Sequence, residues 1–228
     1  MIADRYFPIT CVDNFLENPD SLRKYALSLE YSQQPGNYPG YRSECLHKLD
    51  VNLYFLLCAK ILSLFYPLKS KPSFSAKMQF QKIIPYNVPE KLNTGWIHKD
   101  SGTFLAGVIY LNKNPIPSSG TTIFRPLVDE IKYDNFNQTR NKLYADENID
   151  VNFCLSEKEK YESQFEATLE VKNLYNRMIC YPGNYYHTAS GFYAKDEPRL
   201  SLVFFFHELS KYNTDKDLPI LRSNFFKI

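Results

Sequence analysis

The sequence lacks the features that would mark several large classes of protein. No C-x-x-C pair occurs, and the cysteines (Cys11, Cys45, Cys58, Cys154 and Cys180) are odd in number and far apart. That argues against a zinc ribbon and against a disulfide framework, and favours a reducing compartment. There is no large excess of either charge: 27 basic against 25 acidic side chains leave a net charge of +2. Phosphate backbones are bound by concentrated basic surfaces, so nucleic acid is not an expected main partner. The N-terminus has no apolar run of signal-peptide type. The longest apolar stretch, Leu53 to Leu68, is interrupted by Lys60 and is too short to span a bilayer. No internal repeat or low-complexity tract is present. These absences together point to a soluble, cytoplasmic protein.

What is present is a chain of 228 residues that is 44% hydrophobic and 16% aromatic. That is enough for one packed domain. The abundant tyrosine and phenylalanine suit sheet surfaces and aromatic-lined clefts. Residues 1–75 read as mainly helical. Asn18-Pro19-Asp20-Ser21 offers a cap and an early proline before Leu22, Tyr25, Ala26 and Leu29. Val51 to Phe65 is a second helix candidate, ended by Pro67 and Pro72, and residues 36–42 form a turn-rich loop.

Residues 76–210 read as strands: Ala76 to Ile84, Phe104 to Leu111, Thr121 to Phe124, and Phe165 to Val171 paired with Arg177 to Tyr181 across an Asn-containing turn. Arg199 to Phe206 is the strongest of them. Residues 126–164, polar and poor in apolar positions, read as an insertion, either a solvated excursion or a lid. Helices followed by strands give an α+β fold whose β part is a sandwich or jelly roll with helices on one side.

Three short motifs carry chemistry. In His98-Lys99-Asp100 the alternation of an extended segment turns an imidazole and a carboxylate to one side. Alone, such a pair is common by chance. His187 follows a strand and the Pro182-Gly183 turn. Two histidines and one carboxylate make a facial triad that leaves half of an octahedral iron open, unlike a closed structural zinc site. Arg199 and Ser201 share one face at the head of the strongest strand. A guanidinium there needs an anionic partner. That partner is either a bound dicarboxylate, gripped through two parallel hydrogen bonds, or an internal Asp or Glu.

Together with Val108 to Lys113 and Ser119 to Pro126, these motifs in this order resemble the iron(II)/2-oxoglutarate-dependent dioxygenases, in particular the prolyl-hydroxylase-like branch. The resemblance covers His98 to Phe206. It implies a double-stranded β-helix with N-terminal helices on one sheet. It implies iron(II) held by His98, Asp100 and His187, and 2-oxoglutarate and dioxygen as co-substrates. It gives Arg199 the distal carboxylate of 2-oxoglutarate, with Tyr110 and Ser201 matching residues that assist it in some members. The implied activity is hydroxylation of a peptidyl, amino-acid or other small substrate. A non-catalytic cupin-like protein that binds a metal or small acid is the alternative.

The N-terminal stretches Val12 to Leu16 and Tyr38 to Ser43 resemble uncharacterised members of the same superfamily. One departure is the long turn from Pro85 to Gly95, which leaves the residue contacting the keto-acid end unplaced, with Gln79 and Gln81 as candidates. Among the remaining residues, His207 reads as structural and His47 as surface. Trp96 and one of Tyr185 and Tyr186 are candidates for the cleft wall. Arg42 and Arg125 read either as anion binders or as solvated cations, and Cys180 as buried and inert.

Overall fold

The computed structural model describes residues 7–33, 38–67, 72–84, 89–133, 136–144, 150–192 and 198–211. The described N-terminal part holds three helices, α1 (Pro19–Ser28), α2 (Leu46–Leu49) and α3 (Val51–Leu62). The starts of α1 and α3 follow from short polar side chains that satisfy free N–H groups of the first turn. Asn18 Oδ1 accepts from the Ser21 amide at 3.1 Å, and Asp50 Oδ1 from the Leu53 amide at 2.9 Å.

Among the described residues, nine strands form two antiparallel sheets. The larger has the order β1 (Thr10–Val12), β7 (Met178–Tyr181), β4 (Leu105–Tyr110), β9 (Arg199–Lys211), β3 (Pro72–Ile83), β2 (Tyr41–Arg42). The smaller has the order β6 (Phe165–Val171), β5 (Thr121–Pro126), β8 (Tyr186–Ala189). From β3 onward the chain passes repeatedly between the two sheets, which is the winding of a double-stranded β-helix. A bridge between His98 and His187 adds the segment before β4 to the free side of β8.

Strand alternation divides the side chains of the large sheet into two chemically different sets. Leu200, Leu202, Phe204 and Phe206 of β9 join Met78 and Phe80 of β3 and Ile109 of β4 on the outer face. They pack with Leu57, Cys58, Ile61 and Leu62 of α3 and Leu22 and Ala26 of α1. Phe7 completes this layer against Phe65, with ring centroids 5.2 Å apart. The inner face carries Arg199, Ser201 and Val203 of β9, Tyr110 and Val108 of β4, and Gln79 and Gln81 of β3. The apolar part of this inner face packs with Ile123 and Val171 of the small sheet.

Several expectations need correction. The first 75 residues are not all helix. β1 and β2 are too short to show alternation, and β3 already begins at Pro72, where a proline is tolerated as a first strand residue. The second helix stops at Leu62, three residues before Phe65. β6 and β7 are not paired with one another: β6 pairs with β5, and β7 with β1 and β4. The turn between them, with Asn176 at φ 61°, is a corner leading from one sheet to the other. Asn176 also ties down the N-terminal segment through both the amide and the carbonyl of Leu16.

Residues 126–164 hold two helices, α4 (Phe136–Tyr144) and α5 (Val151–Glu162). Leu143, Tyr144, Cys154 and Tyr161 pack into a separate cluster with Trp96, Ile97 and Tyr186. The helical signal of α5 is hidden because one buried position on its inner stripe is Lys158, which pairs with Glu162 and lies 5.8 Å from the Trp96 ring. Parts of the 85–95 turn, the 36–42 loop and this insertion lie outside the described residues. No helix among the described residues is long and apolar enough to cross a membrane.

Gly107 in β4 shows how closely neighbouring strands of the large sheet are packed. A Cβ at this position would lie 2.4 Å from the Ile179 carbonyl and 2.4 Å from the Phe204 ring. Gly107→Ala is expected to destabilise the protein by about 1–3 kcal/mol through overpacking. Thermal unfolding should show a midpoint lower by roughly 2–12 °C.

Candidate functional site

Backbone pairing assembles the first part of the site. The His98 amide donates to the His187 carbonyl at 3.0 Å, and the His187 amide donates to the His98 carbonyl at 2.9 Å. Two residues that exchange both bonds in an antiparallel pair lie directly opposite, with their side chains on the same face. The two imidazole centroids are accordingly 4.4 Å apart. Asp100, two residues on, shares that face, and its amide is fixed by the Gly183 carbonyl at 2.8 Å. Gly183 permits this approach: a Cβ there would lie 2.2 Å from the Thr103 carbonyl. One ligand atom from each of His98, Asp100 and His187 falls within 4.8 Å of the other two.

Hydrogen bonding fixes the tautomers. His98 Nδ1 lies 2.8 Å from the Trp96 carbonyl, and His187 Nδ1 lies 2.9 Å from the Tyr185 carbonyl. A carbonyl only accepts, so both Nδ1 atoms carry hydrogen and both Nε2 atoms present lone pairs. The His98 ring is enclosed by the cleft walls, yet 36% of its side chain stays accessible from the cleft. Burial, then the neighbouring His187, pushes its pKa down to about 4, which leaves it neutral near pH 7. Burial raises the Asp100 pKa, but the two histidines and Arg42 outweigh it and hold the carboxyl below its usual range.

The result is three acceptors facing one another. His187 Nε2 is 3.3 Å from Asp100 Oδ2, and His98 Nε2 is 3.8 Å from Asp100 Oδ1. Asp100 Oδ2 is buried and accepts no hydrogen bond. With both Nδ1 hydrogens committed elsewhere, the imidazoles cannot supply one while neutral. A cation between the three groups removes the repulsion, and two imidazoles with one carboxylate suit a divalent transition metal.

These residues stand in a cleft of about 660 Å³ between the sheets. Arg199 also lines it and is only 4% exposed. Its Nε donates to the Ser119 carbonyl at 3.0 Å, and its guanidinium carbon lies 5.5 Å from the Tyr110 ring centroid. Burial lowers its pKa, while Tyr110 and Tyr181 work in the opposite direction. Among the described residues no carboxylate pairs with it. Ser201, on the same face and fully buried, has a hydroxyl without a hydrogen-bond partner. The Tyr110 hydroxyl is 2.7 Å from Thr121 Oγ1, and Thr121 in turn lines the cleft.

The other candidates are distributed unevenly. Gln79 and Gln81 direct their amides to the Ser43 and Pro39 carbonyls, which fastens the β2 loop to the sheet. Trp96 and Tyr186 line the cleft. His207 sits at its rim, beside the Gly102 carbonyl at 3.2 Å, and is not part of the triad. Arg125 is a surface residue paired with Glu166. His47 is exposed, and Cys180 is buried with its thiol pKa raised by burial. Arg42 is a buried wall residue, not a solvated cation. Tyr133, Arg140, Tyr144 and Tyr161, contributed by the insertion, also line the cleft, and no motif had singled them out.

The geometry of the triad makes a direct test possible. Ligand that binds only the folded state stabilises it by about 2.7 kcal/mol at a hundred times its dissociation constant. Manganese(II) at that level is expected to raise the unfolding midpoint by roughly 5–11 °C. Asp100→Ala and His187→Ala should remain folded and lose that rise.

Comparison with solved structures places the fold. The epimerase SnoN, solved with Fe3+, alpha-ketoglutarate and nogalamycin RO, superposes with a TM-score of 0.53 at 17% identity, over 92% of this chain and 85% of that one. HygX from Streptomyces hygroscopicus, solved with nickel and 2-oxoglutarate, gives 0.53 at 9% identity, over 96% and 94%. The alpha-ketoglutarate-dependent carbocyclase SnoK gives 0.51 at 12%, over 92% and 83%. At these identities the likeness establishes the shared double-stranded β-helix fold. No curated protein sequence matches the chain. A family profile matches residues 1–197, and the chain thus belongs to DUF6445, a family of unknown function.

Proposed function

We propose that this protein is a non-haem iron(II)- and 2-oxoglutarate-dependent dioxygenase. The observation that carries this reading is a buried guanidinium, Arg199, with no carboxylate partner among the described residues, in the same cleft as three converging metal-ligand atoms. A protein that only stored a metal would have no use for that cation, whose burial is costly without an anion. The bound ligands named for SnoN and HygX, a metal with 2-oxoglutarate, have the chemistry that the two halves of this cleft would accept.

His98 and His187 would hold the metal through Nε2, each oriented by its Nδ1 bond to a backbone carbonyl. Asp100 would supply the third ligand. Iron(II) with 2-oxoglutarate bound supplies oxidation of a C–H bond by dioxygen, coupled to conversion of the 2-oxo acid to succinate and carbon dioxide. Arg199 would orient the co-substrate through its distal carboxylate, with the unpartnered Ser201 hydroxyl as a further donor. Tyr110 would act at one remove, since it packs beside Arg199 and its hydroxyl is engaged by Thr121. The aromatic wall of Trp96, Tyr161 and Tyr186 would exclude water and position the substrate.

Hydroxylation of a peptidyl, amino-acid or other small substrate is the reaction favoured by the prolyl-hydroxylase-like motifs. The five cysteines are all free thiols, which supports a reducing, cytoplasmic setting.

Protein loaded anaerobically should hold one iron(II) per chain and form succinate with consumption of dioxygen. Arg199→Ala is expected to keep the metal and weaken 2-oxoglutarate binding by about 1.5–3 kcal/mol or more, the usual worth of hydrogen bonds to a charged group. Calorimetric titration measures this directly. Unchanged affinity in the variant would exclude Arg199 as the anchor.

A further inference from the structure

The cleft contains a second buried guanidinium that neither the metal nor 2-oxoglutarate requires. Arg42 closes the edge of the large sheet from β2, in register with Gln81 of β3, and lies on the inner face. It is 8% exposed and lines the cleft. Its guanidinium carbon sits 3.5 Å above the centroid of the Tyr38 ring and 5.7 Å from that of Phe205. Its Nε is buried with no hydrogen-bond partner. Among the described residues no carboxylate pairs with it. Asp100 acts on it only through space, and that carboxylate belongs to the triad.

Charge balance across the cleft points the same way. Asp100 is the sole carboxylate among the described lining residues, whereas Arg42, Lys77, Lys99, Arg140 and Arg199 are all cations. A divalent metal and a dianionic co-substrate cancel each other, and Arg199 is then engaged. Arg42 and Lys77, on neighbouring strands of the same inner face, still lack an anion among the described residues. A cleft of one sign concentrates ligands of the other. A planar guanidinium flanked by aromatic rings presents its edge as a fork that matches an oxyanion.

We infer that Arg42 binds an oxyanion group, a carboxylate or a phosphate, on the primary substrate, so that the protein acts on an acidic small molecule or an acidic group of a peptide. The inference rests on the reading of the triad and Arg199 as the metal and co-substrate sites. Tyr38 holds the guanidinium flat, and the Pro39 carbonyl, bound by Gln81, holds the loop that carries Tyr38.

Benzoate and phenyl phosphate serve as probes, with benzyl alcohol as the uncharged control. Each is titrated calorimetrically into protein loaded with manganese(II) and N-oxalylglycine, and into the metal-free protein. Both anions, or one of them, should bind more tightly than the alcohol, and the tighter arm identifies the anion. Arg42→Gln should weaken that binding about tenfold or more while manganese and N-oxalylglycine still bind. Should Arg42→Gln fail to fold, Arg42→Lys replaces it. The lysine keeps the charge without the planar fork, and a smaller loss is expected.

Anions that bind no better than benzyl alcohol, or equally well to the variant, would overturn the inference. So would a variant that loses N-oxalylglycine in place of the probe, since Arg42 would then belong to the co-substrate. Failure of the wild type to take up manganese and N-oxalylglycine would instead sink the oxygenase reading, and the metal-free titrations would still decide the role of Arg42.

Discussion

The paired backbone bonds between His98 and His187 are the constraint on which the rest of the site depends. They place two imidazoles side by side on one face and, through strand alternation, bring Asp100 to the same point. Each ring is then turned by a carbonyl of its own chain segment, so that lone pairs face the centre. Three acceptors with no hydrogen between them repel one another, and in isolation this arrangement is unfavourable. It is held because each backbone segment is anchored elsewhere: the Gly95 amide to Ala189, the Asp100 amide to Gly183, and the close contact of Gly183 with Thr103. The local cost is borne by a rigid frame, and a cation relieves it.

That frame is rigid because the two faces of the large sheet do different work. The outer face is apolar and sealed by α1 and α3, and it contributes most of the hydrophobic core. The inner face can therefore carry Arg199, Ser201, Gln79, Gln81 and Arg42 without loss of the fold. Arg199 and Arg42 have no carboxylate partner among the described residues, and burial of guanidiniums in that state is strongly unfavourable in a purely structural protein. Here both open onto one cleft. The chemistry of that cleft, acceptors at one point and cations around it, is complementary to a divalent metal and to anionic ligands.

The insertion between β5 and β6 changes the cleft from an open groove into a walled one. Its helices bring Arg140, Tyr144 and Tyr161 to the lining and bury Trp96. Its residue types give little hint of this. α5 offers Cys154, Lys158 and Tyr161 as its inward stripe, and a lysine at the middle position reads as a break in amphipathicity. Only the neighbouring Glu162 and the Trp96 ring make its burial tolerable.

The sequence alone was enough to locate the long strands of the β part and the helix cap at Asn18, and it singled out His98, Asp100, His187 and Arg199, which the fold brings to one cleft. These follow from local rules: apolar runs, short polar caps, alternation within an extended segment, and the cost of a cation at the head of an apolar strand. Three matters depended on tertiary structure. The first is which strands pair, since the segments around Asn176 look like a hairpin and are joined by a corner between sheets. The second is the state of Arg42, which reads equally as an anion binder or as a solvated cation until the two-residue strand β2 docks on Gln81 and buries it. The third is the wall formed by α4 and α5. Pairing partners and burial are properties of segments far apart in the chain, and local spacing carries no information about which of them meet.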